Sequence, residues 1–100
     1  MSSDSGADLR LVKFTAEWCG PCKKQQPILD SLEPDFSNLI DFQVEDIDVH
    51  PELAAIYSIQ SVPTLLLLNQ DGTVIQSLTH VAFNKAQLRK SLTEILETIR

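Results

Sequence analysis

Only two of the 100 residues are cysteine, and without a second pair the four-ligand set of a structural zinc site cannot be assembled. The remaining soft ligands, His50 and His80, stand outside any paired zinc spacing, so no metal is expected. Cations are also scarce: 8 Lys and Arg face 14 Asp and Glu, a formal net charge of −6. No basic stripe is available to neutralise phosphates, which excludes a nucleic-acid partner, and the acidic surplus reads as solubility. No run of roughly eighteen apolar residues is present, so no membrane span is expected. The start, Met1 to Asp8, lacks the basic and apolar regions of a secretory signal, and the expected location is cytoplasmic. Nor is there an internal repeat.

What is present is one domain's worth of chain with 43% hydrophobic residues. Residues 1–8 are small and polar and read as a disordered leader, which leaves residues 9–100 as the domain. Both cysteines fall within Trp18-Cys19-Gly20-Pro21-Cys22, between a strand-like run and a helix-like one. Two cysteines so spaced at a helix start can close into a small disulfide. The first thiol there meets unpaired backbone N–H groups and the positive end of the helix dipole, which favour the reactive thiolate. A redox dithiol is therefore the leading reading. The alternatives are half of a metal site, which lacks its other half, and a purely structural disulfide, whose short loop restrains the unfolded chain little.

Leu9 to Thr15 is short and mostly apolar, as suits a central strand, with Lys13 as its anomaly. From Cys22, Ile28, Leu29, Leu32 and Phe36 recur at helical spacing, and Pro27 and Pro34 predict a kink and an end near Glu33. Ile40 to Ile47 reads as a second strand and Pro51 to Ser58 as a short helix started by its proline. Thr64 to Leu68 is apolar on both faces, as expected of a covered strand. Asn69-Gln70-Asp71-Gly72 then turns the chain into an antiparallel strand, Thr73 to Leu78. Asn84 caps a last helix with Gln87 three residues on, and Leu88, Leu92, Ile95, Leu96 and Ile99 form its buried stripe. The order predicts an α/β fold with a parallel strand pair, a hairpin, helices on both sheet faces, and the dithiol at the carboxyl end of the first strand.

Ala16 to Lys23, Pro27 to Asp30, Asp48, Val62 to Leu67, Asp71-Gly72 and Gln87-Leu88 together resemble the thioredoxin family. The resemblance spans residues 9 to 99, and Trp-Cys-Gly-Pro-Cys followed by Val-Pro-Thr is far more specific than a Cys-x-x-Cys alone. It implies that Cys19, the exposed cysteine, attacks a substrate disulfide and that the more buried Cys22 resolves the mixed disulfide. It further implies a cis peptide before Pro63, which places the Val62 backbone beside the dithiol where an extended substrate can pair with it. Trp18 becomes a flat wall beside Cys19, with plain packing as its alternative, and Gly20 and Pro21 complete the substrate surface. No bound cofactor is implied. The implied partners are protein disulfides and a thioredoxin reductase, flavin- or ferredoxin-dependent, acting on a monomer.

Three departures from the family pattern stand out. The usual N-terminal strand and helix cannot fit in eight residues, so a four-stranded mixed sheet with one less-covered edge is expected. Lys13 occupies the position of the family's buried Asp, where a cation lowers thiol pKa values and shifts the potential toward oxidising. Alternatively Lys13 serves as the resolving base once burial lowers its own pKa, or it snorkels to the rim and takes no part. The family's facing lysine is replaced by Val44, and Asp46 or Glu17 are candidates to compensate Lys13. Finally, Val81 stands where the family has a glycine and narrows the groove, while the neighbouring His80 is a candidate proton shuttle. Three functions fit these residues: a general protein-disulfide reductase, a more oxidising or specialised exchanger, and a non-enzymatic interaction module on the same fold.

Overall fold

The computed structural model describes residues 8–99. Leu9–Thr15 forms β1 with the bounds read from the sequence. Successive side chains of a strand point to opposite faces, and β1 uses both. Leu9 and Leu11 enter the larger core, with Leu29 and Leu32 of α1 (Gly20–Phe36) and Leu88 and Leu92 of α3 (Lys85–Ile99). Val12 and Phe14 enter a smaller core on the other face, against which Leu53 of α2 (Pro51–Ile56) and Tyr57 just beyond it pack. Helices thus cover both faces of the sheet.

β2 (Ile40–Asp46) pairs with β1 in parallel, and β3 (Thr64–Asn69) pairs antiparallel to its other side. β4 (Val74–Ser77) returns antiparallel to β3, giving the order β2-β1-β3-β4. A parallel pair requires a long crossover, which α1 supplies. The unbroken leucine run of β3 is explained by its place: Leu65 and Leu67 face the larger core and Leu66 and Leu68 the smaller. The hairpin turns at Gly72, whose φ of 91° lies in the left-handed region. Asn69 Oδ1 accepts from the N–H groups of Asp71 and Thr73, fixing that turn. The expected four-stranded mixed α/β sheet is therefore present. Among the described residues β2 is an edge strand, with Val44 52% exposed.

Several boundaries differ from the sequence reading. α1 does not end near Glu33 but runs through both prolines to Phe36. Pro27 and Pro34 are exposed and seven residues apart, so both lie on the solvent face, where water reaches the carbonyls they leave unpaired, and buried Phe36 anchors the last turn. α2 stops at Ile56, because Ser58 takes a left-handed φ of 56°. β4 is shorter than expected and exposed throughout. Asn84 Oδ1 caps α3 by accepting from the Gln87 N–H at 3.0 Å, as read, but Ile99 of the expected stripe is 47% exposed at the helix end. Residues 1–7, most of the expected leader, lie outside the described residues, and the Asp8 N–H bonds the Leu39 carbonyl at 3.1 Å.

Candidate active site

The chain leaves β1 at Thr15 and reaches α1 in four residues, which brings the motif to the sheet's carboxyl rim. Cys19 is the N-cap of α1, extended at φ −90° and ψ 104°, and Pro21 occupies the first turn, where a missing N–H costs nothing. Cys19 and Cys22 are joined as a disulfide with their Cα atoms 5.3 Å apart. The Cys22 N–H donates to Cys19 Sγ at 3.1 Å, the contact a serine or aspartate oxygen makes at an ordinary N-cap. When the pair is reduced, this N–H and the helix dipole stabilise negative charge on Cys19.

Ala16, Cys19 and Cys22 form a small cluster of their own, against which Ile47 and Val62 pack. This overturns the expected exposure of Cys19. Cys19 is 3% exposed and Cys22 1%, because the ends of β1 and β2 and the Val62 segment close around both sulfurs. The Val62–Pro63 peptide is cis, and Val62 reaches the dithiol cluster as the resemblance implied. Trp18 is 69% exposed, against the packing alternative, and its Nε1 donates to Asp48 Oδ2 at 3.0 Å. A Cβ placed on Gly20 would meet no atom within 4 Å, so the surface in front of it is open. Val81 ends a 3₁₀ turn, Thr79–Val81, and packs half-buried on the larger core, while His80 beside it is exposed.

Lys13 does not snorkel. It is 2% exposed, and its Nζ donates to the Cys22 carbonyl at 2.5 Å and to Gln26 Oε1 at 2.8 Å. Burial pushes the Lys13 ammonium below the ordinary lysine range, and the charge of Asp30 partly pulls it back. The compensating acid is therefore Asp30 and neither of the two candidates read from the sequence. Glu17 is exposed, and Asp46 Oδ1 instead accepts from the Asp48 N–H. Gln26 Nε2 donates to Asp30 Oδ1 at 2.9 Å, so Gln26 stands between the buried cation and the exposed anion. Sequence reasoning missed Gln26 and Asp30, although their i, i+4 spacing on one helix was a visible signal.

Gln25 is a second polar group in the interior. It is 0% exposed, and neither its Nε2 nor its Oε1 has a hydrogen-bond partner among the described residues. Desolvating an amide without partners is costly, whereas an apolar group of similar shape avoids the penalty. Gln25→Met is expected to stabilise the protein by about 1–3 kcal/mol in urea unfolding, a gain on the scale of that penalty. An unchanged midpoint would show that the Gln25 amide is satisfied in solution.

The thioredoxin family model matches residues 3–94 of the chain. The chain is 38% identical over 84 residues to a thioredoxin of Buchnera aphidicola, covering 84% of this chain and 76% of that protein. It is 37% identical over 89 residues to one of Staphylococcus aureus, covering 89% and 80%. Among solved structures, the germline-specific thioredoxin Deadhead of Drosophila melanogaster superposes with a TM-score of 0.80 at 26% identity, covering 93% of this chain and 86% of that one. Fasciola hepatica thioredoxin superposes at 0.76 with 29% identity, covering 93% and 86%. With a family model over most of its length, relatives at 38% and 37% identity and matching solved folds, this chain, whose dithiol caps the crossover helix and faces a cis-proline segment, belongs to the thioredoxin family of thiol–disulfide oxidoreductases.

Proposed function

We propose that this oxidoreductase works as a protein-disulfide reductase with Cys19 as nucleophile and Cys22 as resolving thiol. The observation that carries the assignment is the N-cap position of Cys19, with its sulfur on the Cys22 N–H. The Cys19 thiolate attacks one sulfur of a substrate disulfide, forming a mixed disulfide and releasing one substrate thiolate, which takes up a proton. Cys22 then attacks Cys19 Sγ, forming the Cys19–Cys22 bond as the Cys19–substrate bond breaks, and its proton passes through solvent to the second substrate thiolate that leaves. Two electrons pass from the dithiol to the substrate, and no cofactor is bound at any step. Substrate backbone runs beside Val62 and Pro63, bounded by Trp18, Gly20, Pro21 and Val81. The room before Gly20 and the exposure of Trp18 support that path.

Family membership supports a thioredoxin reductase as the physiological reductant and the cytoplasm as the site of action. Among the described residues no helix is long and apolar enough to cross a membrane. The test is insulin reduction with NADPH and a thioredoxin reductase. Catalytic amounts of this protein are expected to drive continuous NADPH oxidation, and a protein that is itself reduced but does not accelerate insulin cleavage would refute the reading.

One observation favours a more oxidising couple within the same chemistry: the Lys13 ammonium on the Cys22 carbonyl. A cation there stabilises the thiolate-bearing reduced form over the neutral disulfide. Equilibration with glutathione measures the outcome, each ~30 mV corresponding to about 1.4 kcal/mol for the two-electron couple.

A further inference from the structure

Four groups form a continuous chain beneath the dithiol. The Cys22 carbonyl accepts from Lys13 Nζ, which also donates to Gln26 Oε1, and Gln26 Nε2 donates to Asp30 Oδ1. The buried end is Lys13 and the exposed end is Asp30. The orientation of the Gln26 amide is dictated by its neighbours, since an ammonium only donates and a carboxylate only accepts. Charge at each end polarises the amide in the same sense, so the bonds reinforce one another. On the flanking strands the residues in register with Lys13 are Val44 and Leu65, both apolar. The charge that acts on Lys13 is that of Asp30, on α1.

We propose that Gln26 and Asp30 are positioning residues that tune the redox pair by holding the Lys13 ammonium, charged, against the carbonyl of Cys22. The inference rests on the assignment of Cys19 and Cys22 above and adds to it residues that touch neither sulfur. Its sign separates it from a direct effect. Removing the Asp30 carboxylate acts on the cysteines through space by making them more acidic, because a nearby negative charge disfavours thiolate. Acting through Lys13, the same removal weakens the ammonium and makes the cysteines less acidic.

The experiment measures the pH dependence of iodoacetamide reaction in the reduced protein and the equilibrium constant with glutathione, for Asp30→Asn and Gln26→Met. Asp30 is exposed and Gln26 only partly buried, so both variants keep the packed core. Both are expected to raise the pH midpoint of alkylation by on the order of half a unit, a threefold change in acidity, and to move the glutathione equilibrium toward the disulfide form. In a Lys13→Met background the upward shift caused by Asp30→Asn disappears, as a double-mutant cycle requires of a relayed effect. A midpoint that falls or stays fixed in Asp30→Asn, or one unchanged in Gln26→Met, overturns the proposal. Failure of the cysteine assignment reads differently, as absent insulin turnover in the unsubstituted protein.

Discussion

Cys19→Ser reduces insulin turnover to the uncatalysed background, while Cys22→Ser loses turnover but gains a trapped covalent adduct. The two outcomes follow from position on one helix turn. A serine at residue 19 still caps α1, since its oxygen accepts the same N–H that Cys19 Sγ accepts at 3.1 Å, so the fold is retained. It has no ionisation near neutral pH and cannot form a disulfide, so no first step occurs. With serine at residue 22, Cys19 still attacks, and the mixed disulfide persists because nothing expels the substrate. Mass spectrometry after exposure to a disulfide-bonded peptide distinguishes the two variants. Adducts of equal yield in both would remove the distinction between nucleophile and resolving thiol.

Lys13→Met is expected to raise stability at neutral pH by about 1–3 kcal/mol, the scale on which a buried polar group with incomplete partners costs more than an apolar one of similar size. Lys13 is 2% exposed on a strand whose neighbours on the same face, Leu9 and Leu11, belong to the larger core. Its two hydrogen bonds soften the desolvation penalty, yet burial still holds its pKa below the ordinary lysine value. The lowered pKa fixes the pH dependence. Between the folded value and the higher unfolded value, the unfolded chain holds more protons, so the stability of the unsubstituted protein rises with pH across that window. The advantage of Lys13→Met is therefore full below the folded pKa and shrinks as pH climbs toward the ordinary lysine value. Urea denaturation at neutral and at alkaline pH checks both statements. A gain that does not diminish with pH would locate the cost in packing rather than in charge.

Local chemistry made much of this molecule legible. β1 could be bounded to the residue because Leu9 to Thr15 is flanked by polar residues before it and the cysteine motif after it. The hairpin and the cap of α3 could be read because Asn69, Gly72 and Asn84 act on their own neighbours. What failed depended on distant parts of the chain. Proline propensity argued against α1 continuing past Glu33, and burial of Phe36 in the larger core outweighed it. Cys19 was read as exposed because its spacing says nothing of Ile47 and Val62, which close over it from elsewhere. Lys13 was recognised as anomalous, but its partner was sought in Asp46 and Glu17. Which face of α1 lies over β1 decides the matter in favour of Gln26 and Asp30, and that is a packing angle rather than a sequence pattern.

The cluster of Ala16, Cys19 and Cys22 meets the smaller core through Ile47 and Val62, which pack on both, and the disulfide within it ties folding to electron transfer in one thermodynamic cycle. Oxidised and reduced proteins each unfold with their own free energy, and the difference between the two equals the difference in disulfide stability between native and unfolded chain. That difference is the whole effect of the native fold on the couple, the helix cap, Lys13 and Val62 included. Two denaturation curves, one for each redox state, thus measure the influence of the fold on its dithiol without any substrate.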